Sequence, residues 1–240
     1  MFETLVALTF AHLAADFVLQ TDRLVALKTK ASGMALHIAI VVVVAALALG
    51  ALDPIMLGIL GVTHLAMDLV KTRWMSKSLA AFISDQAVHL AVIFGLAVYL
   101  PQAAAQGAWG ALEAPHQLLY YGTLAVLSGL ILSVWAGGIV IGMLMDPLSN
   151  NFTNARKGIA NGGRYIGWLE RALTFTFFMI GHPEGVGFLL AAKSVLRFGD
   201  IQGRDERQHT EYVIIGTMLS FGWALVVAIG AKAAAAHWLG

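Results

Sequence analysis

Long apolar runs broken by short charged or turn-forming stretches recur along the whole chain, and this pattern sets the architecture before any single residue is considered. The runs are about 17–25 residues long, enough to cross a hydrocarbon core of about 30 Å at about 1.5 Å per residue of helix. The first covers Phe2–Leu19 and is followed by QTDRLVALKTKASG, with Arg23, Lys28 and Lys30. The second, Met34–Leu49, contains a Val-rich stretch with strand propensity, but an isolated strand in lipid leaves its backbone groups unpaired, so helix is predicted. A short turn, Gly50–Pro54, leads to the third helix, Ile55–Val70, and Lys71, Arg73 and Lys77 separate it from the fourth, Leu79–Leu100. The segment PQAAAQGAWGALEAPHQ has no Lys or Arg and carries Trp109, a residue suited to the membrane interface. The fifth helix is long, Leu118–Met145, and ends at Asp146-Pro147. An Asn/Gly-rich loop with Arg156, Lys157 and Arg164 follows, then Tyr165–Gly181, Glu184–Phe198, a charged loop, and a last helix over Tyr212–His237. The fold class is therefore all-α, a polytopic transmembrane helix bundle of about seven to eight spans.

Three regions follow from the same pattern: a four-helix domain over 1–100, a non-cytoplasmic loop over 101–117, and C-terminal membrane helices with cytoplasmic loops over 118–240. Lys and Arg gather after the first, third, fifth and seventh helices. The positive-inside rule then places those loops in the cytoplasm and both termini outside, with eight crossings. The seventh helix carries Lys193 and Arg197, so a re-entrant or surface segment is the alternative there, and it would reverse the last helix. The first run contains Glu3 and no Lys or Arg, which points to a retained helix rather than a cleaved signal peptide.

Composition narrows the chemistry. Hydrophobic residues make up 59% of the 240 positions and charged residues 12%, against roughly 25% in soluble domains. A net charge of +1 gives no reason to expect a nucleic-acid partner, and the absence of cysteine removes disulfides and thiolate ligands. There is no Walker loop, dinucleotide-binding glycine pattern or GxSxG elbow.

Against that background one motif stands out. HLAAD at 12–16 returns as HLAMD at 64–68 and, reversed, as DQAVH at 85–89. Four-residue spacing puts His and Asp on one helix face, one turn apart. With the topology above, Asp16, Asp68 and Asp85 lie nearest the cytoplasm and His12, His64 and His89 one turn deeper. The reversal in DQAVH is what an antiparallel helix needs to keep that layering, and His37 falls in the same zone. A single such pair is readily a structural feature at a helix end. Three carboxylates facing lipid, at about 2.5–3.5 kcal/mol each on insertion scales, are not. They are expected to converge, and a divalent cation would relieve their repulsion with neutral imidazoles as further ligands. A hydrogen-bonded or proton-carrying cluster is the alternative. The mixed donor set suits zinc, manganese or iron, and six or more ligands allow two metals bridged by an aspartate.

Other polar residues fall outside these motifs. Glu170 sits about one turn into the sixth predicted helix beside Arg171; adjacent residues do not share a face, and Arg171 is read as snorkelling to headgroups. Lys193 and Arg197, four apart, form a cationic face suited to a phosphate or to anchoring. Glu211 is read as a favourable charge at a helix N-terminus. Gly137, Gly138 and Gly142 are read as close-packing positions, and His116, His182, His209 and His237 as lying outside any ligand set.

The stretches FAHLAADFVLQTDR, THLAMDLVKTR and DQAVH resemble a bacterial family of integral membrane proteins of unknown function related to membrane-bound metal-dependent hydrolases. WLERAL and GFLLAAKSVLRF are similar to its longer members. The resemblance implies a multi-pass protein of the bacterial inner membrane with metal-dependent hydrolytic chemistry. The leading expectation is a metal-dependent hydrolase at the cytoplasmic leaflet acting on a phosphoester or lipid-linked substrate. His12, Asp16, His37, His64, Asp68, Asp85 and His89 would hold the metal, and Glu170, Lys193 and Arg197 would serve the substrate. The alternatives are a cation or proton transporter, disfavoured by the apolar outer halves of the helices, and a metal-stabilised structural subunit of a membrane complex or homo-oligomer.

Overall fold

The computed structural model describes residues 1–149, 161–197 and 204–239, and all regular structure among them is helical. The elements are α1 (Phe2–Leu13), a π-helical segment (Ala14–Leu19), α2 (Asp22–Leu27), α3 (Ala31–Leu49), α4 (Pro54–Trp74), α5 (Leu79–Tyr99), α6 (Ala114–Ile131), a second π-helical segment (Leu132–Ala136), α7 (Gly137–Ser149), α8 (Gly162–Met179), α9 (Glu184–Arg197) and α10 (Arg204–Leu239). The Asn/Gly-rich loop with Arg156 and Lys157 lies outside the described residues.

Six stretches among the described residues are long and apolar enough to cross a membrane: Phe2–Leu19, Ala31–Leu49, Pro54–Trp74, Leu79–Tyr99, Ala114–Leu148 and Thr210–Leu239. This falls short of the seven to eight spans expected. Helices α8 and α9 form where the sequence puts them, but Arg164, Glu170 and Arg171 in one, and Glu184, Lys193 and Arg197 in the other, break their apolar character. The fifth helix does not stop at Asp146-Pro147 but runs on to Ser149; Pro147 sits in the last turn, where little helix remains to be disrupted.

The chain divides into two compact units, Met1–Ile131 with Ala233–Gly240, and Leu132–Lys232. In the first, α1 packs against α3, α5 and α6, and α4 packs against α3 and α5. Small residues every three or four positions make this close packing possible: Ala7, Ala11 and Ala15 on one side, Ala45 and Ala48 with Val41 on the other. Leu8, Leu49, Met56, Leu57, Leu60, Ile93, Leu96 and Tyr121 complete an apolar core. Exposed Leu36, Val43, Leu47, Val62 and Phe94 are the expected counterpart, a surface that faces lipid rather than water.

Helix ends are satisfied by local chemistry. Asp53 Oδ1 accepts from the Ile55 and Met56 amides at 2.9 and 3.0 Å, with Pro54 opening α4. Ser78 caps α5 and Thr21 caps α2. Gly50 closes α3 at φ 65°, a left-handed conformation that favours glycine. The segment after α5 folds back on the core: Thr4 Oγ1 donates to Pro101 O and accepts from the Ala104 amide, Tyr121 donates to Ala104 O, and Trp109 donates to Leu47 O. Gly107 is pressed onto the end of α3, where an added Cβ would lie 2.2 Å from Leu49 O. Gly107→Ala is therefore expected to displace this segment and destabilise the protein by about 1–3 kcal/mol, measured by thermal unfolding in detergent.

In the second unit, Arg171 of α8 is buried, at 4% exposure, and does not snorkel. Its Nε and Nη2 donate to Val134 O at 3.2 and 2.9 Å, and Nη1 donates to Ser220. A π turn shifts hydrogen bonding from i+4 to i+5 and leaves a carbonyl without its helical partner; the guanidinium and Trp223 Nε1, which donates to Leu132 O at 3.1 Å, supply donors to the carbonyls of this segment. Gly137, Gly138 and Gly167 make room for the guanidinium, since a Cβ at any of them would come within 3.0–3.3 Å of Arg171 side-chain atoms. Among the described residues nothing lies within 4 Å of a Cβ placed at Gly142, so the close packing expected of it is not seen there.

Candidate metal centre

The end of α1 with the π-helical segment after it, the start of α3, the second half of α4 and the first half of α5 carry the His/Asp residues, and the structure gathers all seven. Asp16 lies in the first π-helical segment, a helical irregularity often found at functional sites. Asp16 Oδ2 is 3.6 Å from His12 Nδ1, and Asp16 Oδ1 is 3.4 Å from both His37 Nε2 and His64 Nε2. The two imidazole nitrogens are 3.1 Å apart, and Asp68 Oδ2 is 3.3 Å from His37 Nε2 and 3.8 Å from His64 Nε2. The expected histidine layer is present: His64 and His89 stack with ring centroids 4.0 Å apart, and His12 lies 5.1 Å from His89 and 5.9 Å from His64.

These spacings can be tested against a metal. Four ligands placed tetrahedrally about an ion at bonds of about 2.0–2.2 Å lie about 3.3–3.6 Å from one another. His37 Nε2, His64 Nε2 and Asp68 Oδ2 lie 3.1–3.8 Å from one another, and Asp16 Oδ1 lies 3.4 Å from both nitrogens, spacings close to that value. Two nitrogens and two carboxylate oxygens are also a donor set that a borderline ion such as zinc accepts. The residues present thus fit a divalent ion. Three overlapping triads could hold one, His12/Asp16/His64, His37/His64/Asp68 and Asp68/Asp85/His89, each with ligand atoms within 4.8 Å of one another.

Burial makes the arrangement expensive without a ligand. His37 and Asp85 are fully buried and Asp68 is 2% exposed. His37 Nδ1 is buried and makes no hydrogen bond, a cost of about 1–3 kcal/mol, and Asp16 Oδ1, Asp85 Oδ1 and His89 Nε2 have only imidazole–carboxylate contacts of 3.3–3.4 Å. Beyond the histidines, Ala11, Val41, Leu60, Thr63, Val92 and Ile93 complete a pocket of about 10 Å³, room for about one water molecule.

Spacing within the motifs points to none of the polar neighbours that the structure adds. Lys28 Nζ is 2.6 Å from Asp68 Oδ2 and donates to Gln20 Oε1 at 3.0 Å. Lys71 pairs with Asp85 Oδ2, which also accepts from Gln86 Nε2. Gln86 Oε1 contacts His12 Nε2 at 3.2 Å, so this one side chain ties a histidine to a carboxylate. Both lysines read in the sequence as positive-inside markers. Helix α4, however, continues to Trp74, so Lys71 stands one turn from Asp68 on the same helix.

The remaining candidates lie in the second unit. Lys193 pairs with Glu170 at 2.7 Å, so this ammonium is engaged by a carboxylate rather than presented to an anion. The Arg197 side chain lies outside the described residues. His182 contacts Glu184 at 2.8 Å, an exposed pair that ligand spacing did not suggest. Glu211 sits well inside α10, not at its N-terminus, because that helix begins at Arg204.

Residues 4–119, which contain the whole His/Asp cluster, match the model of a family described as a protein of unknown function, DUF3307. No curated protein and no solved structure matches the chain.

Proposed function

We propose that the helices of the first unit hold a divalent transition metal, zinc by preference, in the inner half of the bilayer. The protein is then a metal-dependent hydrolase of the bacterial cytoplasmic membrane, acting on a phosphoester or lipid-linked substrate from the cytoplasmic leaflet. One observation carries this reading: Asp16, His37, His64 and Asp68 arrive from three separate helical segments, with Asp16 Oδ1 and Asp68 Oδ2 each 3.3–3.8 Å from the two imidazole Nε2 atoms. Charge bias supplies the side. With six spans, Arg23, Lys28 and Lys30 follow the first, Lys71, Arg73 and Lys77 end or follow the third, and the Lys/Arg-rich stretch 150–209 follows the fifth.

An ion held by these residues would supply a Lewis acid that polarises a phosphoryl or carbonyl oxygen wherever a coordination position is left open to it. The chain's own groups do the rest. Lys28 and Lys71 hold Asp68 and Asp85 in place, Gln86 orients His12, and the small pocket beside His12, His64 and His89 admits about one water. Leu49, Leu57 and Leu96, with Leu8, Leu60 and Ile93 nearer the histidines, make the rest of the core between these helices apolar, which favours a hydrolase over a transporter with a continuous polar path.

Elemental analysis of detergent-purified protein is expected to find at least one equivalent of zinc, manganese or iron. Chelation is expected to stop phosphate release from a panel of phosphoesters, with recovery on re-addition of metal. At an excess of about 100-fold over Kd the ion adds about 2.7 kcal/mol. Chelation should therefore lower the melting temperature by about 5–10 °C, at about 2–4 °C per kcal/mol for a chain of this size. Protein that carries no transition metal and does not respond to chelator would overturn the proposal. Metal-dependent stability without hydrolysis would favour a structural subunit instead.

A further inference from the structure

We infer that Asp68, Asp85 and His89 form a second, weaker cation site, which takes its ion together with a phosphate group. This rests on the metal reading above and adds to it a second ion and a ligand class.

The three residues come from α4 and α5, are 0–3% exposed, and bring their ligand atoms within 4.8 Å of one another. Two of those atoms have only each other: buried Asp85 Oδ1 and His89 Nε2 stand 3.3 Å apart, short of good hydrogen-bond geometry. Buried polar atoms of this kind are ordinarily paired, and an ion between them would satisfy both. Asp68 belongs to both ligand sets, so one carboxylate is shared between the sites.

Ligand number separates the two sites. Asp16, His37, His64 and Asp68 offer up to four donors around the first ion. The second set supplies three and leaves a coordination position open, as catalytic sites do. Of the three, His89 also lines the small pocket it shares with His12 and His64.

Charge then selects the ligand. Three carboxylates and the ammonium groups of Lys28 and Lys71 leave one net negative charge with the histidines neutral. One divalent ion turns this to one net positive charge and a second to three, an excess that a buried site carries only with an anion. Lys71 is placed to help: its side chain is 37% exposed, and an ion on Asp85 frees its ammonium group for an anionic oxygen. A phosphate group, free or on a lipid headgroup, meets both the ion and the ammonium.

Zinc binding to chelator-stripped, detergent-purified protein, followed by equilibrium dialysis and elemental analysis, tests this. Wild type is expected to bind one tight equivalent and a second whose apparent affinity rises about tenfold or more with inorganic phosphate or with phosphatidate-containing vesicles, but not with phosphatidylcholine vesicles. An increase in either of the first two arms supports the site and tells the free anion from the headgroup; an increase in neither overturns it. Asp85→Asn and His89→Gln are expected to keep the first equivalent, a monodisperse profile and the wild-type chelator response, and to lose the second. Saturation of wild type at one equivalent in the presence of phosphate, abolished by His37→Ala, would overturn the second site while leaving the first. No binding at all would overturn both.

Discussion

Asp68→Ala is expected to leave the purified protein with almost no bound metal, with apparent affinity reduced more than about 100-fold, a loss that removing even an outer-shell partner can approach. The size of the effect follows from the number of groups that share this carboxylate. Asp68 Oδ2 stands 3.3 Å from His37 Nε2, 3.8 Å from His64 Nε2 and 2.6 Å from Lys28 Nζ. Its removal takes a ligand from two overlapping triads at once and strands an ammonium group that is 8% exposed. Elemental analysis of the variant beside wild type checks the prediction. Metal content unchanged in Asp68→Ala would show that the ion, if present, sits elsewhere.

Lys28→Met carries the second large effect, and its sign depends on the metal. In metal-free protein the substitution removes one partner of a buried ion pair and leaves Asp68 uncompensated, at a cost of about 3–5 kcal/mol. Metal-loaded protein supplies the missing positive charge at the same oxygen. The stabilisation produced by zinc is therefore expected to be larger in Lys28→Met than in wild type, because the variant starts lower and ends nearby. Thermal unfolding of both proteins, with chelator and with zinc, measures the difference. Equal zinc-induced shifts would show that Lys28 and the ion do not meet at Asp68.

The sequence makes the His/Asp cluster legible for a definite reason. Spacing of four residues fixes which side chains share a helix face, and alternating loop charge fixes which way each helix runs. Together they place Asp and His in two layers, and the stacked rings of His64 and His89 are that histidine layer. What escapes is what those periods do not encode. Lys28 reaches Asp68 because the short helix α2 places it there, and nothing in QTDRLVALKTK states that return. Arg171 reads as a membrane-surface residue because its partners are the carbonyl of Val134 and a hydroxyl 49 positions along the chain. The clue to its burial is indirect: Gly137, Gly138 and Gly167 leave the volume it occupies. Helices α8 and α9 escape for the opposite reason: α8 looks apolar until Arg164, Glu170 and Arg171 are weighed, and α9, at 14 residues, is too short to span.

The π-helical segment around Asp16 gives the repeated motif a meaning that its letters conceal. HLAAD and HLAMD share a spacing, yet the first crosses a change of helical period and the second stays within one regular helix. Four residues therefore correspond to different rotations in the two copies, and the carboxylates leave their helices at different angles relative to their histidines. A duplicated string on two regular helices would present the same face twice. Here one residue's worth of extra winding makes the copies inequivalent, and a single repeated word supplies both jaws of one grip.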